Sequence, residues 1–369
     1  MKKMIFHHPL PINKNSAVAS GIRPAKMINA FEKIGYEVFL ITGDSKERKA
    51  KIKELKKNME KGMKYNFLYS ESSTLPTLLT DNSRLPFFPF LDYSFFQFIK
   101  SKKIPIGLFY RDIYWKFTKE LSLKSRVKYN VSNIFFKYDL FWYKKTLNRL
   151  YLPSIQMYDY VSDYFPKEMV KELPPGHDNT DIFEKNKNNS NSDDTIRVLY
   201  VGGLSNHYQM HLLFKTIKSM KNFELTICTR KDEWESIKKE YMSFLSSNIH
   251  IVHKSGVELK ALYKECDIVS IFVQGTDYWR FAAPLKLYEY LGEAKPIIAV
   301  DNTLAGEFVS KNKIGWKVPY DLESLSILLK HIEDNRRELA EKTLNCESIS
   351  KENTWLQRAQ QVEDDLITI

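Results

Sequence analysis

The chain is poor in cysteine. Cys228, Cys266 and Cys346 are its only thiols in 369 residues, scattered without the spacing of a metal site or a redox pair. That usage fits a reducing cytoplasm and gives no reason to invoke disulfides. No apolar run approaches the length of a membrane span. The opening Met-Lys-Lys-Met-Ile-Phe-His-His-Pro lacks the sustained apolar core of a cleaved secretion signal. A dinucleotide fold would want Gly-x-Gly-x-x-Gly at a strand-to-helix turn. The turn present, Gly202-Gly203-Leu204-Ser205-Asn206-His207, does not supply it, which disfavours NAD. Adjacent aspartates occur only as Asp193-Asp194 and Asp364-Asp365, in a polar linker and a terminal helix, so no metal is expected.

What the chain does have is enough apolar material for two cores: 43% apolar residues, 14% of the total aromatic. Residues 184–195 are polar and free of apolar side chains, and mark a domain boundary. Before it, residues 4–6 read as a weak opening strand, 9–21 as a polar loop and 24–34 as a helix ended by Gly35. A second strand follows at 38–42. Residues 44–61 read as a solvated lysine-rich helix, and 85–99, rich in Pro and Phe, as loop plus helix. A strand over 104–110 delivers Arg111 and Asp112 at its carboxyl end, where open α/β sheets place ligands. There Asp112 is a candidate to orient or deprotonate a hydroxyl, and Arg111 to neutralise phosphate. After the boundary, strands at 196–201, 223–229, 249–252 and 267–272 alternate with helices, the pattern of a doubly wound parallel sheet.

The stretch 281–301 carries the chemistry. Pro284 suits a first helical position, and Leu285, Tyr288 and Leu291 share one face at helical spacing. Lys286 and Glu289 share another. Lys295-Pro296 then breaks the helix before Ile297 to Val300, an apolar run fit for a buried parallel strand. Helix N–H groups and Lys286 suit a diphosphate, and Glu289 suits a ribose diol. An ordinary amphipathic helix with a solvated Lys/Glu pair is the plain alternative.

The run Pro284-x-Lys286-Leu287-x-Glu289-Tyr290-Leu291-Gly292-x-x-Lys295-Pro296-Ile297-Ile298 resembles the donor signature of the retaining GT-B glycosyltransferases of group 1. The resemblance implies two Rossmann-like doubly wound α/β domains facing across a cleft. Residues 1–183 would form the acceptor-side domain and 196–352 the nucleotide-sugar domain, with 353–369 crossing back as a helix. It implies donor contacts from Gly21, Gly202, Gly203 and Arg230 beside Pro284, Leu285, Lys286 and Glu289, with Arg23 and His177 on the acceptor side. Gly21 equally suits a plain turn, Arg23 a surface charge and His177 a structural role. His253 to Val257 would border the base, and Gly306-Glu307 the sugar. The chain departs from the pattern at Gly203 and His207, where many members carry Arg and Lys, and at Phe281, where a second glutamate is frequent. No organic cofactor is expected; the co-substrate is a nucleotide-diphosphate sugar, with a UDP-sugar favoured.

The net charge of +11 is concentrated. Residues 100–150 carry ten Lys and three Arg against Asp112, Glu120 and Asp139, which is +10, and hold twelve aromatics. Basic and aromatic residues interleaved on helices fit an anionic membrane surface. Nucleic acid and a merely solvated face are the rivals. The membrane is preferred, with no nucleic-acid role. The sequence thus points to a metal-independent, retaining hexosyl-type transferase in surface polysaccharide or glycoconjugate synthesis, with a carbohydrate or lipid-linked acceptor. Its expected location is cytoplasmic, peripheral on the inner membrane face. The competing reading is a non-catalytic glycosyltransferase-like subunit that binds a partner glycosyltransferase.

Overall fold

The computed structural model describes residues 2–12, 19–117, 123–178, 194–204 and 208–369. They divide into two compact units, Met1–Pro175 with Trp355–Ile369, and Gly176–Thr354. Most of the expected linker, residues 184–193, lies outside the described residues, as does His207.

The first unit runs β1 (Lys2–His8), α1 (Ala19–Lys33), β2 (Tyr36–Thr42), α2 (Ser45–Glu60), β3 (Leu68–Glu71), α3 (Leu91–Ser101), β4 (Ile106–Phe109), α4 (Leu123–Thr146), β5 (Arg149–Leu152) and β6 (Val170–Glu172). All six strands pair in parallel, in the order β2-β1-β3-β4-β5-β6. The order reverses between β1 and β3, and the crevice at their carboxyl ends is where such a sheet receives ligands. The second unit runs β7 (Ile196–Val201), α5 (His211–Lys218), β8 (Phe223–Cys228), α6 (Lys231–Tyr241), β9 (Ile249–Val252), α7 (Gly256–Glu265), β10 (Ile268–Ile271), α8 (Leu285–Gly292), β11 (Ile297–Val300), α9 (Leu304–Lys311), β12 (Gly315–Val318), α10 (Leu322–Asp334) and α11 (Arg337–Ser350). Its parallel order, β12-β11-β10-β7-β8-β9, reverses between β7 and β10. Each unit is therefore a Rossmann-like α/β layer structure. The last helix, α12 (Trp355–Ile367), packs on α1 in the first unit. No described helix is long and apolar enough to cross a membrane.

Several local expectations change. The opening strand is central: Met4, Ile5 and Phe6 are wholly buried between β2 and β3. The first helix begins at Ala19, with Pro24 inside it, so Gly21 and Arg23 belong to α1 and not to a loop. A proline costs an interior helix one hydrogen bond, and helix starts read from proline alone fall late when the packed face extends upstream. The lysine-rich α2 is not wholly solvated. Asp44 caps it in a capping box with Glu47, and Arg48, Ile52 and Leu55 form a buried face. In α8, Pro284 is the capping residue and not the first helical one, and the buried face is Leu287, Tyr288, Tyr290 and Leu291, with Leu285 half-buried.

Candidate functional site

In the second unit the candidate site forms at the reversal between β7 and β10. β7 is a buried apolar strand that ends in Gly202 and Gly203; β10 leads through residues 272–284 into α8. Two tyrosines tie these parts together. The Val201 amide donates to the Tyr290 hydroxyl at 2.8 Å, which binds the end of β7 to α8. The Tyr200 hydroxyl donates to the Gly203 carbonyl at 2.8 Å and accepts from Lys286 Nζ at 2.7 Å.

Lys286 is half-buried, and its ammonium lies 4.2 Å from the centroid of the Tyr200 ring and 4.3 Å from that of Tyr208. An ammonium between two rings gains roughly 0.5–2 kcal/mol, depending on its desolvation. Burial drives its pKa down to about 7, with Glu289 pulling the other way. Gly202 makes the room. Its φ of +145° suits glycine alone, and a Cβ there would sit 2.8 Å from Lys286 Nζ. Pro284 offers no side-chain cap to α8, whose first turn carries Leu285 and Lys286. Tyr200 and Tyr208 are not legible from pattern as site residues, because aromatic side chains in and after an apolar strand read as core.

The departures from the resembled pattern have physical substitutes. Phe281 is 2% exposed and meets the Tyr278 ring edge-on at 5.1 Å. Gly203 faces Glu233, whose Oε2 would lie 3.0 Å from a Cβ at that position. A carboxylate thus fills space that a cationic side chain would take. Arg230 is ion-paired to Glu233. Glu307 is paired to Lys317 at 2.8 Å. His253 bonds through Nδ1 to the Thr229 carbonyl at 2.8 Å. Beyond β10, β11 and β12 a cavity of about 330 Å³ is lined by polar groups that include Asp277, Asp301, Asn302 and Tyr320.

His177 lies elsewhere. It is buried against Gly292, and its Nε2 pairs with the Ser350 carbonyl at 2.9 Å. Gly292 is the last residue of α8, so His177 stands at the end of that helix opposite Lys286, where it packs the unit.

In the first unit, Arg23 and Arg111 meet over a residue that was not anticipated. Glu71 ends β3 and is fully buried; Arg23 Nε is 3.3 Å from Oε1 and Arg111 Nη2 is 3.6 Å from Oε2. The Tyr69 hydroxyl donates to the same carboxylate at 3.0 Å. His8 Nδ1 pairs with the Glu71 carbonyl at 2.9 Å, and burial lowers its pKa to about 3, so the ring is neutral. Arg23 is no surface charge. Its guanidinium lies 3.6 Å from the Phe109 ring centroid and 5.6 Å from that of Trp355, so it also holds α12. Burial lowers the pKa of Arg111. Asp112 Oδ1 accepts from the Tyr114 amide at 2.8 Å, which fixes the turn after β4.

A second buried network braces the end of β1. Arg48 grips Asp92 side-on, with Nε and Nη2 each 3.0 Å from a carboxylate oxygen, and Asp92 Oδ1 pairs with His7 Nε2 at 3.0 Å. His7 Nδ1 pairs with Ser70 Oγ at 2.8 Å. Arg48 Nη1 donates to the carbonyls of Pro9, at 2.9 Å, and Gly43, at 2.6 Å. One signal was available: Arg48 is the lone arginine of a helix with six lysines, and a planar fork is what bidentate pairing requires.

Comparison with known proteins places these observations. Residues 181–347 match the family described as Glycosyl transferases group 1. No curated protein sequence matches the chain. Among solved structures, Anabaena HepE in complex with UDP and glucose is 13% identical, with full coverage of both chains and a TM-score of 0.64. A glycosyltransferase from Rickettsia africae is 13% identical, covering 99% of this chain and 98% of that one, with a TM-score of 0.66. WaaG, a glycosyltransferase involved in lipopolysaccharide biosynthesis, is 13% identical over 99% of each chain, with a TM-score of 0.61. These likenesses establish the fold, two Rossmann-like units of the GT-B kind.

Proposed function

We propose that this chain, which carries a group 1 glycosyltransferase domain over residues 181–347, transfers a sugar from a nucleotide-diphosphate donor to a carbohydrate or lipid-linked acceptor. The observation that carries the reading is the Lys286 ammonium, held between Tyr200 and Tyr208 over Gly202 at the strand-order reversal of that domain. A cation and the first turn of α8 there would neutralise charge on the departing diphosphate, with Glu289 accepting from a ribose hydroxyl. A UDP-sugar is the proposed donor; the HepE structure holding UDP and glucose supports that choice. Hydroxyls of the sugar suit the carboxylates and amides of the neighbouring polar cavity. Arg111, over Glu71, and Asp112 are the proposed acceptor-side groups, acting on phosphate and on a hydroxyl. By resemblance the transfer is hexosyl, metal-independent and retaining, in surface polysaccharide synthesis. The protein would work in the cytoplasm, peripheral to an anionic membrane through residues 100–150.

A second reading has its own support. Glu233 beside Gly203, and Phe281 buried where a glutamate is frequent, weaken the grip on a diphosphate; this favours a non-catalytic subunit that binds a partner glycosyltransferase. A thermal-shift panel of UDP, GDP, ADP and CDP with their sugars, on wild type, Lys286→Ala and Glu289→Ala, separates the two. Stabilisation by one nucleotide, lost in both variants, upholds the enzyme reading. No shift with any nucleotide favours the subunit.

A further inference from the structure

Helix α4 has two apolar faces, and among the described residues only one is packed. Inward, Phe136, Leu140, Trp142 and Tyr143 are buried. The one carboxylate of the helix, Asp139, turns in with them and accepts from the Thr77 amide at 2.8 Å and the Trp142 indole at 3.2 Å. Outward, Val131, Ile134, Tyr138 and Phe141 recur at intervals of three, four and three residues, which sets them on one stripe. Ile134 is 66% exposed and Phe141 51%. The loop ahead of α3 extends the stripe. The Tyr138 hydroxyl donates to the Pro89 carbonyl at 3.0 Å, which brings alongside it a segment where Leu85, Phe87 and Phe90 are all more than half exposed. A contiguous apolar patch of this kind marks a contact surface.

The cations that lie against its rings are lysines. Lys137, Lys144 and Lys145 are exposed on α4, and Lys145 Nζ lies 4.2 Å from the Phe141 ring centroid. Lys100 reaches the Lys145 carbonyl at 2.7 Å, and Lys49 lies 4.4 Å from the Phe88 ring. With Asp139 turned inward, α4 offers this face no carboxylate. Resting on the peripheral-membrane reading above, we infer that the outward stripe of α4 and the 85–90 loop form one docking face for an anionic lipid bilayer. The rings and aliphatic chains enter the interface while the lysines meet headgroups. The face thus includes a segment outside residues 100–150, and it acts by apolar insertion as well as by charge.

The test is co-sedimentation of the full chain with vesicles of phosphatidylcholine, with and without phosphatidylglycerol. Wild type is expected to partition onto the anionic vesicles, more weakly as salt rises. Partition should fall about tenfold in Ile134→Asp/Phe141→Asp and again in Phe87→Ser/Phe90→Ser, because each removes inserted apolar area. All four positions are exposed, so both variants should melt like wild type and keep any nucleotide shift. The inference is overturned if wild type ignores anionic vesicles, or if both variants bind as wild type does. It is equally overturned if Ile134→Asp/Phe141→Asp turns a lipid-free dimer into a monomer, which would make a second copy the occupant. Absence of a nucleotide shift in wild type would count against the transferase reading and leave this face untouched.

Discussion

Lys286 Nζ donates to the Tyr200 hydroxyl at 2.7 Å, and that hydroxyl donates on to the Gly203 carbonyl at 2.8 Å. The relay positions the amine without giving it a counter-anion, while burial lowers its pKa to about 7. A diphosphate beside it would favour the ammonium and raise that pKa, so binding should take up a proton at and above neutrality. The sign follows: affinity is full below pH 7 and declines as pH rises, by up to about tenfold per unit. Calorimetry of UDP at pH 8, in buffers of different ionisation enthalpy, should show uptake approaching one proton in wild type and none in Lys286→Met. Tyr200→Phe keeps the ring and removes the acceptor, and should weaken UDP by about 1 kcal/mol. Equal uptake in Lys286→Met would remove the lysine from the donor site.

Gly202→Ala tests the same geometry from the backbone. The new Cβ would lie 2.8 Å from Lys286 Nζ and 3.3 Å from the Tyr200 hydroxyl, at a φ of +145°. The lysine tip can move, so the domain should fold, with a strain of roughly 1–3 kcal/mol. The amine, however, must leave its cage, and UDP affinity should drop at least about tenfold. Gly35→Ala is the control. Gly35 also has a positive φ, +94°, but nothing lies within 4 Å of its Cβ position, so it should cost stability and leave UDP binding unchanged.

The βα alternation was legible because parallel strands buried on both faces are short apolar runs, and Ile297 to Val300 is one of them. The place of Lys286 and Glu289 on one helix was legible because a helical period and a following strand fixed it. Tyr200, Glu71 and Asp92 were not. Each owes its role to a partner distant in sequence: Lys286 is 86 residues from Tyr200, and Arg48 is 44 from Asp92. Local pattern carries no signal of such pairs. The surface-charge alternative for Arg23 failed for a related reason: a charge just ahead of an expected helix reads as solvated until Glu71, Phe109 and Trp355 close around it.

The Arg48–Asp92 pair predicts a large stability loss. Both side chains are buried, Arg48 at 1% and Asp92 at 3% exposure, and Arg48 also satisfies two backbone carbonyls. Arg48→Ala leaves a buried carboxylate without its counter-ion, which costs about 3–5 kcal/mol. The double variant Arg48→Met/Asp92→Leu removes both charges and should recover part of that loss. Urea unfolding followed by tryptophan fluorescence measures both. A single-variant loss under about 1 kcal/mol would mean that the pair is not coupled to folding.

Asp139 should make stability fall as pH rises, the reverse of the usual carboxylate. Burial raises its pKa to about 7, although the Thr77 amide and Trp142 indole both favour the charged form. In the unfolded chain it titrates near ~3.9. A raised folded value means that its contribution is full below pH 4 and is lost as pH climbs through 7. The loss amounts to up to about 4 kcal/mol, since the folded state must then hold an uncompensated charge. Asp139→Asn cannot ionise, but its amide can accept from only one of the two donors, at a cost of about 1–3 kcal/mol. The variant should therefore be less stable than wild type at pH 5 and equal or superior at pH 8. Melting curves for both proteins across that interval decide the matter: parallel curves would show that Asp139 is charged throughout and that burial does not govern it.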